Sequence, residues 1–325
     1  MAYSATASVY EHFPFPSSNI DNSDVKLPDD IPAVVEGGFR RGWTVLDAGC
    51  GTGQTVVGMA RAYPDVHFVG LEPNGPSREV AERLRVRAGV ENLEFVDASI
   101  SGEPLGTEFD FIYSYGVVHH IPDPAAAIRW LSGHLAADAL LHLWIYGSIG
   151  EAERMRQREL VQLLNRFEGK DGIRTVRALG VQLSPASYGL SEEHLELAAS
   201  TDYQDIVDAD AFLNPVVHTM RIGEVAAVLE PLADWVAVDR VWASRGNPHV
   251  DLAGAGPGAS ALSVLRPEDL YQDPLLLESI ASLSPLQKAA LIELAVSASG
   301  FNLIAGRGDA LSWCTPRIAG NLLTP

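Results

Sequence analysis

The chain of 325 residues is 47% hydrophobic and 20% charged, and its 42 acidic against 23 basic side chains leave a net charge of −19. This is the composition of a packed globular protein, and it excludes the basic footprint that nucleic acid or an anionic membrane surface requires. No apolar run reaches the ~20 residues of a membrane-spanning helix. Met1 to Pro16 carries no secretory signal, and Cys50 and Cys314 form neither a disulfide framework nor paired metal-ligand spacing. A cytoplasmic protein acting on a small molecule or peptide is the expectation, and a homodimer is compatible with it.

In chain order, residues 1–41 read as an arm ahead of the core. Within it Tyr10-Glu11-His12-Phe13-Pro14-Phe15-Pro16 is aromatic and stiffened by proline. Such a segment either lies over a ligand as a lid that excludes water, with Tyr10 against the ligand, or simply packs as an arm. From residue 42 to 147 apolar strands alternate with amphipathic helices, which predicts a parallel sheet with crossover helices. The strands are Thr44 to Asp47, His67 to Leu71, Leu93 to Val96, Phe109 to Tyr113 and Leu140 to Tyr146. Helices are expected from about Gln54 to Ala62 and from about Ser77 to Ala88, where Val80, Ala81, Leu84 and Ala88 recur at helical spacing.

Beyond Gly147 the rhythm changes. Residues 148–218 read as a mostly helical insertion, opening with an Arg-rich helix from Glu151 to Phe167. Residues 219–325 supply the rest of the sheet, with a helix at Ile222 to Leu232, strands at Trp235 to Trp242 and Gly300 to Ala305, and a helical insertion at about 245–299. Both insertions are expected on the side of the sheet where ligands bind, and the first is expected to shape a pocket. Its Ser187-Tyr188-Gly189-Leu190 and Asp210-Ala211-Phe212-Leu213-Asn214-Pro215 combine aromatic and polar groups.

The chemistry concentrates at strand ends. Asp47-Ala48-Gly49-Cys50-Gly51-Thr52-Gly53 follows the first strand and opens a helix. Glycines at alternate positions let backbone turn tightly and approach a ligand closely, and the unpaired N–H groups of a helix start favour a carboxylate or phosphate. Glu72-Pro73 ends the second strand, at the spacing where an acidic residue accepts ribose hydroxyls. Asp97-Ala98 ends the third, where a carboxylate could receive the exocyclic amine of an adenine. The dinucleotide pattern G-x-G-x-x-G fails at Gln54 and at Val56, which disfavours a nicotinamide-dependent oxidoreductase, and no P-loop is present.

These residues resemble the class I methyltransferases that use S-adenosylmethionine. The likeness runs through Val45 to Gly53, Leu71-Glu72-Pro73, Phe95-Val96-Asp97-Ala98, Phe109 to Ile112, and Gly116-Val117-Val118-His119-His120-Ile121-Pro122-Asp123. It implies a Rossmann-like seven-stranded α/β sheet with helices on both faces and only the final strand antiparallel. It also implies that Asp47, Gly49, Cys50, Gly51, Gly53 and Gln54 line the methionine part of the cofactor. Glu72 and Pro73 would hold the ribose and Asp97 and Ala98 the adenine, with Ser114, Tyr115 and Gly116 at the rim near the sulfonium. Cys50 is read as a packing residue there, not a nucleophile.

Methyl transfer is an in-line displacement at an activated carbon, so holding donor and acceptor in near-attack geometry carries much of the rate. A base matters where the acceptor arrives protonated, and His119 or His120 is the candidate because imidazole titrates near neutral pH. Adjacent residues point in different directions, so one of the two is expected to face the cleft. A structural role is the alternative, since the His-His-Ile-Pro-Asp stretch recurs in the resembling family across many acceptors. Tyr146, at the end of the fifth strand, should face the acceptor. Glu192, Glu193, His194 and Glu196 read as a solvated helix face rather than a metal site, and no paired-cysteine, H-E-x-x-H or G-x-S-x-G motif is present. The expected function is methyl transfer to an oxygen, nitrogen or carbon of a specialised small metabolite or modified peptide. The alternative is a non-methylating use of the same fold, such as aminopropyl transfer, cyclisation or sensing of the cofactor.

Overall fold

Neighbouring residues of the first strand, β1 (Thr44–Ala48), serve two different cores. Val45 packs with Phe68, Phe111 and Ile304 on one face of the sheet, while Leu46 packs with Val69, Ile112 and Leu141 on the other. The two-residue period of a strand makes that division, and cover on both faces is why the strands read as continuous apolar runs. The computed structural model describes residues 8–17, 30–183, 203–244, 246–253 and 263–324.

The remaining strands are β2 (His67–Leu71), β3 (Leu93–Val96), β4 (Phe109–Tyr115), β5 (Leu135–Tyr146), β6 (Trp235–Trp242), β7 (His249–Val250), β8 (Val264–Leu265) and β9 (Gly300–Arg307). They form one nine-stranded sheet in the order β3-β2-β1-β4-β5-β9-β6-β7-β8. β1 to β5 run parallel, and β9 lies antiparallel between β5 and β6. The expectation of seven strands with one antiparallel is therefore corrected at one edge. The two-residue strands β7 and β8 extend the sheet beyond β6, and β7 pairs antiparallel with it. Strands of two residues carry too little periodicity to be read from sequence.

Ten helices are placed among the described residues: α1 (Gln54–Ala62), α2 (Gly75–Ala88), α3 (Pro124–Ser132), α4 (Ala152–Leu164), α5 (Ile173–Ala178), α6 (Tyr203–Asp208), α7 (Ile222–Leu229), α8 (Pro274–Ala281), α9 (Pro285–Ala295) and α10 (Pro316–Ala319). The unanticipated α3 carries its own start signal. The Asp123 side chain accepts the Ala126 N–H at 2.8 Å and Pro124 stands at the first helical position. α2 begins the same way on Asn74, whose side chain accepts from Ser77 N, and stops at Gly89 in the left-handed region.

Between β5 and β6 the described residues are mostly helical. α4 and α5 and a π-helical turn, Ala209–Leu213, close over a small core of Val161, Val176, Ala211 and Phe212. Phe13 of the arm packs onto it through Ile206 and Ala209. The Ser187 to Leu190 and Glu192 to Glu196 segments lie outside the described residues. No helix among the described residues is long and apolar enough to cross a membrane.

Candidate active site

Gly49, Gly51 and Gly53 all take left-handed backbone angles, with φ of 91, 54 and 82°. Each also faces a neighbour too close for a side chain. A Cβ on Gly49 would lie 2.6 Å from the Val117 methyls, on Gly51 2.5 Å from the Phe15 carbonyl oxygen, and on Gly53 2.8 Å from Ala81 Cβ. Gly49 and Gly51 thus shape a cradle open to the cavity, whereas Gly53 lets α1 and α2 approach. Gly51→Ala is expected to push the arm off the loop and to weaken ligand binding at least several-fold, because both the backbone angle and the contact oppose a methyl group. Calorimetry with the cofactor product would read this, and unchanged affinity would contradict it.

The loop is fastened from two sides. Glu72 accepts the Gly51 N–H through Oε2 at 3.0 Å and the Asn74 N–H through Oε1 at 2.8 Å. Burial raises its pKa while those two N–H groups and Arg78 oppose the rise. The arm holds the other side: Thr52 N donates to the Phe15 carbonyl at 3.0 Å, and Gln54 Nε2 donates to the Ser17 carbonyl at 3.2 Å. Gln54, expected against the ligand, is instead turned to the arm and absent from the cavity lining.

Asp97 also stands elsewhere than expected. Arg78 donates to its carboxylate at 2.6 Å and to the Glu72 carbonyl at 2.6 Å, so Asp97 braces the ends of β2 and β3 with its side chain 70% exposed. Neither Asp97 nor Ala98 lines the cavity; Ile100, two residues further on, does. Ser114 is completely buried and donates to the Ala48 carbonyl at 3.0 Å, which ties β4 to the root of the loop. Asp47, Cys50, Pro73, Tyr115 and Gly116 lie on the cavity surface where expected. Burial pushes the Cys50 thiol well up, which suits a packing residue.

Asp47 is 4% exposed, and burial raises its carboxyl to about 7, against the neighbouring Tyr113 hydroxyl, which pulls it down. No cationic side chain among the described residues forms an ion pair with it. A desolvated carboxylate beside a glycine cradle fits a ligand that brings its own cation.

On the opposite wall the insertion and the arm meet. Tyr10 donates to Asp210 Oδ1 at 2.7 Å, Asn214 Nδ2 lies 3.1 Å from the Tyr10 oxygen and 3.0 Å from His120 Nδ1, and His120 Nε2 lies 3.5 Å from Asp210 Oδ1. Burial, then Asp210, holds the Tyr10 hydroxyl protonated, and burial lowers the pKa of His120. His120 lines the cavity but has both ring nitrogens turned to this network. His119 does not reach the lining. Its ring is fully buried and lies flat on Tyr146, with centroids 3.7 Å apart, and burial keeps it neutral. The two adjacent rings lie 4.5 Å apart, centroid to centroid, but only His120 reaches the cavity, where it acts in this arrangement as part of a clasp for the arm. Tyr10→Phe removes the hydrogen bonds to Asp210 and Asn214, which should cost the docked arm about 1–3 kcal/mol. Faster amide exchange over residues 8–17 is the expected readout, and unaltered protection would refute the clasp.

All of this opens on one cavity of about 1300 Å³, larger than the ~300–1,000 Å³ of a usual single-ligand site. Beside Asp210, from the insertion segment singled out in the sequence, its far half contains residues that motif reading passed over: Trp144, Trp242, Arg154, Glu151 and Ser299. The available signals were faint. Trp144 and Tyr146 share one face of β5 by the period of two, and Arg154 and Arg158 sit four apart on α4, both buried. The Arg154 guanidinium lies 4.0 Å above the Tyr146 ring and pairs with Glu151.

Residues 46–141 match the family model of a methyltransferase domain. An uncharacterised protein of Synechococcus sp. is 32% identical over 176 residues, which span 53% of this chain and 42% of that one. The 27-O-demethylrifamycin SV methyltransferase of Amycolatopsis mediterranei is 29% identical over 151 residues, 43% of this chain and 54% of the relative. The chain thus spans about half the length of these curated relatives or less. Among solved structures, PKMT2 from Rickettsia typhi in complex with AdoHcy superposes with a TM-score of 0.53 at 13% identity, over 87% of this chain and 53% of that one, a likeness of fold. With the glycine cradle, the strand-end glutamate and the 3-2-1-4-5 order of parallel strands in place, residues 46–141 are a match to a methyltransferase domain, and the sheet that carries them has the fold of the AdoHcy-bound PKMT2 structure.

Proposed function

We propose that the protein transfers the methyl group of S-adenosylmethionine to an oxygen, nitrogen or carbon nucleophile of a small molecule or modified peptide. The observation that supports this most is the continuity of the cavity. It runs from Asp47, Gly49, Gly51 and Glu72 on the cofactor side to Trp144, Tyr146 and Trp242 on the other, with space for a second ligand. The residues present fit the cofactor: the Gly49 and Gly51 cradle would admit its methionine part, the buried Asp47 would take its ammonium, and Glu72, on the cavity beside the loop, would take its ribose. When bound there, the cofactor supplies a methyl carbon activated by a positive sulfur. Asp47, the Gly49 and Gly51 cradle and Glu72 would present that carbon to the acceptor's nucleophile with sulfur as the leaving group, which would keep the electron pair, and any proton of the nucleophile would pass to solvent.

This chain contributes position and dryness. Gly116 lets Trp144 close on the rim, since a Cβ there would meet the indole at 3.2 Å. The arm, clasped through Tyr10 and Asp210 and zipped to Thr52 and Gln54, excludes water from the loop. Burial keeps His120 uncharged, so no imidazolium competes with the sulfonium for the aromatic faces. Calorimetry with S-adenosylhomocysteine and with NAD tests the reading. Micromolar binding of the first alone is expected, followed by transfer of labelled methyl to acceptors; binding of NAD alone would overturn it.

A further inference from the structure

The acceptor half of the cavity is an aromatic wall, and the polar edges of two of its rings, Tyr115 and Trp242, are tied down. Trp144 on β5 is the hub. Its ring lies 6.2 Å from Tyr115 and close to parallel, and meets Trp242 at 5.3 Å and Tyr146 at 5.2 Å edge to face. The buried Asn302 on β9 accepts the Trp242 indole N–H at 2.6 Å through Oδ1 and donates through Nδ2 to the Tyr115 hydroxyl, which lies 3.0 Å from Asp30 Oδ2. The N–H and O–H of these two rings are therefore held by Asn302 of the sheet, and both residues line the cavity.

The one arginine of that half, Arg154, is already paired. Among the described residues Arg154 pairs with Glu151 and Glu153 with Arg156, while Asp210 accepts the Tyr10 hydroxyl and lies 3.5 Å from the uncharged His120. An anionic acceptor would have to compete with Glu151 for the buried Arg154, whereas an uncharged ring packs against the aromatic side chains without that loss. We infer that the acceptor is a planar aromatic molecule, uncharged in the part that enters the protein, laid against Tyr115, Trp144 and Trp242. This rests on the methyl-transfer reading and names its substrate class.

The test uses the full chain with saturating S-adenosylhomocysteine and three probes of one shape: naphthol, naphthoate and decahydronaphthol. Binding is followed by tryptophan fluorescence and calorimetry at neutral pH. Naphthol is expected to bind saturably and about tenfold or more tighter than either of the others, through its uncharged π faces. Trp242→Leu should weaken it about tenfold and Trp242→Phe restore most of the loss, which separates a lost ring face from misfolding. Tighter binding of naphthoate overturns the inference in favour of an acid held by Arg154. Equal binding of decahydronaphthol overturns it in favour of apolar shape alone, and so does unchanged naphthol affinity in Trp242→Leu. Stoichiometric S-adenosylhomocysteine binding without naphthol binding sinks the acceptor class and spares the cofactor. Naphthol binding without S-adenosylhomocysteine binding does the reverse, and binding of neither removes both.

Discussion

Replacing Glu72 with alanine is expected to weaken S-adenosylhomocysteine binding by about tenfold to about a hundredfold, the cost of ~1.5–3 kcal/mol for hydrogen bonds to a charged group. Two losses combine. In the proposed complex the carboxylate takes the ribose hydroxyls, and in the structure it holds the Gly51 and Asn74 N–H groups at 3.0 and 2.8 Å. An analogue lacking the ribose hydroxyls separates them. It should lose affinity for the parent protein and lose less than the natural ligand does on passing to Glu72→Ala. If the parent binds that analogue as tightly as the natural ligand, Glu72 only braces the loop.

The second large effect is a pH dependence set by Asp47. Its carboxyl is raised from the ordinary 3.8 to about 7 by burial, so below pH 7 the ligand-free protein holds it protonated. A cationic ligand binds the ionised form. Affinity should therefore fall about tenfold for each pH unit below about 7 and level off above it. Asp47→Asn should bind weakly and with little pH dependence between pH 5 and 8. The stability of the ligand-free fold has the opposite sign. Folding takes up a proton at Asp47 between pH 3.8 and about 7, so this residue's contribution to stability is lost as pH climbs through that window. Asp47→Asn is then expected to melt higher than the parent at pH 8 while binding less, a cost in stability accepted for function. A parent affinity that is flat from pH 5 to 8 would exclude this role for Asp47.

The clasp and the wall explain why the motif residues divide as they do. Residues whose role depends on backbone shape, such as Gly49 and Gly51, stand where their pattern places them, because positive φ at a strand-to-helix turn is a local demand. Asp97, Gln54 and His119 stand elsewhere because their partners are distant in sequence. Arg78 claims Asp97 across 19 residues, Ser17 claims Gln54 across 37, and Tyr146 covers His119 from the neighbouring strand. A carboxylate at a strand end is free for a ligand only if no arginine on the adjacent helix reaches it first.

From sequence alone came the parallel α/β sheet, most strand bounds between Thr44 and Tyr146, the glycine cradle and Glu72. Each is written in short-range signals: a period of two, a period near 3.6, a glycine where no other residue can turn. Only the tertiary structure decided that β9 slots between β5 and β6, that Tyr10 reaches Asp210 across 200 residues, and that Tyr115, Trp144 and Trp242 from three strands form one wall. Those are pairings between distant segments, and they depend on strand order and on which buried polar groups must find partners once water is gone.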